Sequence, residues 1–281
     1  MNNRTYTRDS LRWVLDREIT ILNFRTRELE EGPTELLAAC VVNEFWLVEA
    51  CVAFNKNTIN TSDEDGWTPL HYACCYAHIS VVKLLLESDA ESSLYHKNRH
   101  GDIPIQEAIK HNKVEILKLL LTYHGKDKDM AIDNLGGALK SAAIKQNLQI
   151  VKLILGVSLE IANSRDSNGG TALHYSCRGS DETEVMEYLL ESGAEVDSVD
   201  KLGGTPLFSA ALYGRPELVK VLLAAGAAVN HRIGNGTPLD CVAALADRPA
   251  ARAKVVEVLQ AAGGLTAAEL QQQSLHRADD A

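Results

Sequence analysis

The chain has 281 residues, 46% hydrophobic and 23% charged, with a formal net charge of −10. Those proportions exclude a disordered polymer, and the acidic excess argues against a general phosphate-backbone binder, which would need clustered Lys and Arg. No run approaches the roughly 18 apolar residues of a bilayer span, and the first twenty residues, carrying Arg4, Arg8, Arg12 and Arg17, lack the apolar stretch of a secretion signal.

The expectation is therefore a chain of the cytoplasm or nucleus, with neither nucleic acid nor membrane as partner. Six cysteines, Cys40, Cys51, Cys74, Cys75, Cys177 and Cys241, fit such a compartment as reduced thiols, and none forms the CxxC pair of zinc or redox chemistry.

In chain order, the first predicted element runs from Asp9 to Glu30, where Leu11, Val14, Leu15, Ile19, Leu22 and Phe24 recur among charges at helical intervals. It reads as an amphipathic helix, residues 1–31, that caps the first repeat, with a separate docking helix as the alternative. From residue 32 to 264 one period dominates. Taking the leucine of GWTPLHYA as marker, equivalents fall at Leu36, Leu70, Ile105, Leu139, Leu173, Leu207 and Leu239, at intervals of 34, 35, 34, 34, 34 and 32 residues. A second apolar block comes after each marker from Leu70 onward: VVKLLLE from Val81, VEILKLLL from Val114, IVKLIL from Ile150, VMEYLLE from Val185, LVKVLLA from Leu218 and VVEVLQ from Val255. Seven units of two short helices are predicted. The last segment, 265–281, is polar, contains QQQ and ends RADDA, and is expected to fray.

Within a unit, Thr68 can cap the first helix by accepting a backbone N–H bond, and Pro69 suits the first helical position. Leu70, Ala73, Cys74 and Ala77 then lie on one buried face. Gly193 and Gly226 supply the left-handed residue that ends second helices. In units two to four Asp89, His124 and Ser158 stand at that place, which predicts less regular and less stable repeats there, especially around Lys126–Asp129. The segments Asp63–Gly66 (DEDG), Asp133–Gly136 (DNLG) and Arg165–Gly170 (RDSNGG) carry turn chemistry and are expected to form hairpin-like connectors.

The segments GWTPLHYACCYAH from Gly66, GTALHYSC from Gly170 and GGTPLFSAALYG from Gly203 resemble the T-P-L-H-x-A pattern of the ankyrin repeat family. The resemblance covers about Gly32 to Gly264. It implies an all-α fold, an ankyrin-repeat solenoid of stacked helix-turn-helix units with projecting β-hairpin-like loops, degenerate at both ends. It also implies that partners bind along the first helices and hairpin tips of one concave face, and that His71 and His174 hydrogen-bond the connecting backbone.

Candidate chemistry reduces to framework roles. His71 and His174 occupy the same place in units three apart, roughly 25–30 Å from one another, and cannot share a zinc ion. The cluster His71, Tyr72, Cys74, Cys75 and His78 is read as structural. Cys40, Cys74 and Cys177 align with Ala143, Ala211 and Ala243 as small buried residues. Cys75 falls one place later, at an expected exposed position, and is the one candidate for thiol reactivity. No G-x-S-x-G, Walker or dinucleotide motif is present, and the GG pairs at Gly136 and Gly169 are placed in turns. No catalytic residue, metal, cofactor or small-molecule substrate is expected.

Specificity is then assigned to the hairpin residue before T-P-L and to first-helix positions two, five and six beyond the marker. In the second unit these include Trp67, Tyr72 and Tyr76; in the third, Asp102, Glu107 and His111. Lys145 continues the row in the fourth unit, Tyr175 and Arg178 in the fifth, and Tyr213 in the sixth. Trp, Tyr and Arg are the commonest interface anchors, so Trp67, Tyr72 and Tyr76 lead, with hairpin covering as the competing role for the tyrosines. The reading is a protein-binding adaptor or scaffold. A stoichiometric inhibitor or regulatory subunit, and an enzyme or small-molecule binder built in the groove, stand as alternatives.

Overall fold

Threonine and proline set the helix starts. Thr205 Oγ1 accepts from Phe208 N–H (3.2 Å), and Pro206 comes next at the first helical position, where its missing donor costs nothing. The computed structural model describes residues 34–76, 78–124, 128–234, 236–242 and 249–279. The predicted capping helix of residues 1–31 lies outside the described residues, as do Lys126 and Asp127.

The described residues fall into two units, Met1–Asp127 and Lys128–Ala281. In the first, three helix pairs succeed one another: α1 (Thr34–Val42) with α2 (Phe45–Phe54), α3 (Pro69–Tyr76) with α4 (Ile79–Glu87), and α5 (Pro104–Lys110) with α6 (Val114–His124). First helices pack on first helices, α1 on α3 and α3 on α5; second helices do likewise, α2 on α4 and α4 on α6. Leu36, Leu70 and Ile105 are buried at the heart of their pairs, with Leu47, Leu85 and Leu117 opposite.

The second unit begins with α7 (Lys128–Ile144) and α8 (Leu148–Leu155), then α9 (Ala172–Ser176) with α10 (Glu184–Glu191) and α11 (Pro206–Leu212) with α12 (Pro216–Ala224). It closes with α13 (Pro238–Cys241), α14 (Pro249–Ala261) and α15 (Ala267–Asp279). The same rule holds, with α7, α9, α11 and α13 in one layer and α8, α10, α12 and α14 in another. Among the described residues the regular structure is helical apart from one isolated bridge, Ile233 to Gly236, so the class is all-α as expected.

The connectors are built on one turn repeated. Asp63 Oδ1 accepts from Asp65 N–H (3.0 Å) and Trp67 N–H (2.8 Å), and Asp166 Oδ1 from Asn168 (2.8 Å) and Gly170 (2.9 Å). Asn98 and Asp200 repeat the pattern. Neighbouring hairpins join through Arg99 N–H to Asp65 O (2.9 Å) and Lys201 N–H to Asn168 O (2.8 Å). Asparagine side chains tie the other edge: Asn60, Asn163 and Asn230 donate to the carbonyls of Asp89, Gly193 and Gly263 at 2.9, 2.9 and 3.0 Å.

Three expectations are corrected. Asp133–Gly136 is not a hairpin but part of α7, and so is the Gly136 pair. Leu135, Ala138, Leu139, Ala142 and Ala143 form a fully buried stripe at i, i+3, i+4 spacing, and that stripe outweighs four residues of turn chemistry. Gly136 is needed for close approach, because a Cβ there would lie 2.5 Å from Ser164 Cβ. Second, Asp89 is left-handed (φ 88°) as expected, but His124 is the buried last residue of α6, and Ser158 is extended and caps the 3-10 turn Leu159–Asn163. Third, the polar end, expected to fray, is a helix over Ala267–Asp279. Thr266 and Glu269 form a reciprocal cap (Thr266 N–H to Glu269 Oε2, 2.7 Å; Glu269 N–H to Thr266 Oγ1, 3.3 Å), and Ala267 N–H reaches Asp240 Oδ2 at 2.8 Å.

Two substitutions test these geometries. Asp89→Gly relieves a left-handed non-glycine residue while keeping the carbonyl that Asn60 uses, and should raise stability by about 0.5–1 kcal/mol in urea denaturation. Gly136→Ala should lower it by about 1–3 kcal/mol, with Ser164→Gly in the same chain restoring most of the loss.

Candidate functional site

Two buried histidines hold the framework. Thr68 N–H donates to His71 Nδ1 (3.2 Å), so the neutral ring carries its proton on Nε2 and donates to Asp102 O (3.1 Å). His174 repeats this, with Thr171 N–H on Nδ1 (3.2 Å) and Nε2 donating to Gly204 O (3.0 Å). Both rings bridge to the next connector as the sequence reading expected. Burial pulls His71 down to about 4 and His174 below its ordinary value. His124 differs: it is fully buried, edge-on to the Tyr95 ring at 4.8 Å, with no hydrogen-bond partner for either ring nitrogen among the described residues, and burial holds it at about 4.

In the first unit, the outward positions of α3 and α5 form an aromatic ladder. Trp67 meets Tyr72 at 5.1 Å between centroids, Tyr72 stacks with Tyr76 at 6.4 Å, and Tyr76 approaches His111 at 6.4 Å. Trp67 and Tyr72 are half-buried, while Tyr76 is 43% exposed and His111 is open to solvent. The Tyr72 hydroxyl donates to Asp63 Oδ2 (2.7 Å), so this side chain braces its own hairpin.

Beneath the ladder sits a charged cluster. Lys110 Nζ donates to Glu107 Oε1 and Asp102 Oδ2, both at 2.7 Å. Burial works against the ammonium, yet hydrogen bonds to Asp102 and Glu107 hold Lys110 above its ordinary value. Glu107 was expected to face solvent; it is 2% exposed, covered by that lysine. Cys75 was also expected to be exposed and is buried, because α5 covers it. Its Sγ lies 3.0 Å from His111 Nε2, and burial pushes the thiol up, which corrects the reading of Cys75 as a reactive thiol. Cys40, Cys74 and Cys177 are fully buried at the helix contacts, as anticipated.

In the second unit, Tyr175 repeats Tyr72: its hydroxyl donates to Asp166 Oδ2 at 2.5 Å. Burial opposes the Asp166 charge, but the hydroxyl and the N–H groups of Asn168 and Gly170 hold the carboxyl below its ordinary value. Exposed Arg178 lies over the Tyr175 ring at 4.4 Å. Lys145 is exposed and Tyr213 half-buried. The aspartates that hold both tyrosines were missed by the sequence reading; their signal is an Asp nine residues before a first-helix Tyr, at 63 to 72 and at 166 to 175.

A family model of ankyrin repeats matches the chain in three copies, over residues 9–96, 36–132 and 139–233. The chain belongs to the ankyrin repeat family. Ankyrin repeat domains are protein-interaction modules. Among relatives, a putative ankyrin repeat protein of Acanthamoeba polyphaga mimivirus is 24% identical over 75% of the chain and 28% of its own length. The chicken (Gallus gallus) nuclear factor NF-kappa-B p105 subunit is 32% identical over 66% of the chain and 18% of its own length. The chain thus spans less than a third of either relative. Among solved structures, the human ASB11 ankyrin repeat domain shares the fold (TM-score 0.62, 21% identity, 84% of this chain and 99% of that one). A chain of the complex between the predatory endopeptidase Bd0816 of Bdellovibrio bacteriovorus and immunity protein Bd3460 matches with TM-score 0.56 and 25% identity, over 67% of this chain and 96% of that one.

The histidine framework makes stability depend on pH with a definite sign. His71 and His124 ionise near 4 when folded, against about 6.5 unfolded, so the unfolded state binds more protons between those values and stability falls as pH drops from 6.5 toward 4. For fully buried His124 the loss amounts to about 3 kcal/mol. His124→Phe should stabilise the chain and flatten the acid limb of urea midpoints measured across that range; an unchanged limb contradicts the assignment.

Proposed function

We propose that this ankyrin repeat chain is a non-catalytic protein-binding module, an adaptor or scaffold, whose partner is a protein held on the first-helix face and hairpin tips. The observation that carries it is the Trp67–Tyr72–Tyr76–His111 ladder, a row of aromatic rings reaching solvent at Tyr76. Such rings bring large contact area at small conformational cost, the property of interface anchors. Because Tyr72 and Tyr175 are engaged by their hairpins, recognition in the first unit rests chiefly on Trp67, Tyr76, Asp102 and His111, with Glu107 acting through Lys110, and in the second unit on Lys145, Arg178 and Tyr213. All six cysteines are unbridged thiols, which suits the cytoplasm or nucleus. No helix among the described residues is long and apolar enough to cross a membrane.

A second reading, a stoichiometric inhibitor that occludes an enzyme, is favoured by the likeness to a chain of the endopeptidase–immunity protein complex. Adding the purified chain to the purified partner separates the two, since an inhibitor abolishes turnover at one equivalent and an adaptor leaves it intact.

The test is affinity capture from the native cell, then titration with the purified captured protein. Tyr76→Ala should weaken binding at least about tenfold, the loss expected of a hot-spot ring, and Trp67→Ala in the same chain should remove capture while far-UV circular dichroism stays that of the wild type. Full capture by the double variant refutes the assignment.

A further inference from the structure

We propose that Cys75, Glu107 and His111 form a binding site for a divalent transition-metal ion of the zinc class. The three come from α3, α5 and the residue that ends α5, and their ligand atoms (Sγ, a carboxylate oxygen and a ring nitrogen) all lie within 4.8 Å of one another. Zinc bonds of about 2.3 Å to sulfur and 2.0–2.1 Å to nitrogen or oxygen put tetrahedral neighbours roughly 3.3–3.6 Å apart. The Sγ to Nε2 distance is 3.0 Å, so small side-chain rotations admit an ion. Thiolate with imidazole and carboxylate selects zinc over magnesium or calcium, which prefer all-oxygen shells. Three protein ligands leave a fourth position for water.

The surroundings suit exchange. Glu107 is buried with Lys110 as its counter-charge, and Lys110 already shares a 2.7 Å bond with Asp102. When the carboxylate turns to a metal, the ammonium keeps a partner. Cys75 gives its proton to solvent as the sulfur–metal bond forms, and His111 binds through Nε2 in its neutral form. His71 takes no part, since both of its ring nitrogens are engaged. The site goes beyond the protein-binding reading and stands without it.

Cobalt(II) titration of the full chain is the test, with zinc as competitor. The wild type should take up one equivalent with a near-ultraviolet sulfur-to-cobalt charge-transfer band that zinc abolishes. Cys75→Ser should remove the band, and His111→Gln should weaken binding by at least roughly 100-fold, the upper range for loss of even an outer partner of a metal. His111 is solvent-facing, so its variant keeps the core. Lys110→Gln, which unpairs Glu107 and removes a neighbouring positive charge, should tighten binding. Cys241→Ser, far along the sequence in another unit, should change nothing. No charge-transfer band in the wild type, a band that survives Cys75→Ser, or one lost in Cys241→Ser overturns the site, as does Lys110→Gln binding more weakly than the wild type.

Discussion

A helix that starts inside a protein carries backbone donors that water cannot reach. In this chain the first helices α3, α5, α9, α11 and α13 begin at buried residues, Thr68, Ile103, Thr171, Thr205 and Thr237, and the donors must be met within the stack. His71 and His174 solve the problem twice over: one ring nitrogen accepts from the threonine N–H, and the other donates to a carbonyl of the next connector. Thr237 reaches the same end differently, its N–H donating to Asp240 Oδ2 at 2.9 Å and its hydroxyl to Leu265 O at 2.7 Å. Leaving such a group unmatched costs about 1–3 kcal/mol, so the spacing of neighbouring helix pairs is set by polar ties as well as by apolar contact.

Once that spacing is fixed, the side chains of the outer positions need not hold the fold. They divide by what they touch. Tyr72 and Tyr175 are spent on Asp63 and Asp166, which stiffens the hairpins, and their rings carry Tyr76 and Arg178 in turn. Tyr76, His111 and Arg178 face solvent more freely. Exposed ion pairs along the same edge, such as Arg99 with Asp65, are worth about 0–1 kcal/mol to the fold, so they do not set the spacing of the stack either.

Much of this was legible because a period of 34 residues or so is read from one-dimensional spacing: the markers Leu36, Leu70, Ile105, Leu139, Leu173 and Leu207 are all buried. What failed is what neighbours decide. Turn chemistry at Asp133–Gly136 lost to a stripe whose partner surface lies in a later segment, and Gly136 is explained by Ser164. Cys75 and Glu107 were placed outward by their distance from a marker, but exposure on a first helix depends on the next helix as well, and α5 and Lys110 close over them. The end helix had its signal in plain view, a Thr266 to Glu269 capping box, hidden by a polar composition that suggested fraying.

The Glu107 cluster is the one place where the framework and the outer face conflict. Bringing a carboxylate to near-complete burial costs several kcal/mol, and a partner ammonium returns that only where geometry is good; Lys110 at 2.7 Å from both Glu107 and Asp102 meets the condition. Yet the stack does not require a charge here. The same place, two residues beyond the marker, holds Tyr72, Ser141, Tyr175 and Ser209 in other units, all neutral, and their helices pack on their neighbours in the same way. Stability alone therefore gives no reason for a buried acid beside Cys75 and His111. A donor set of sulfur, nitrogen and oxygen gathered within 4.8 Å of one another is the reason proposed for it.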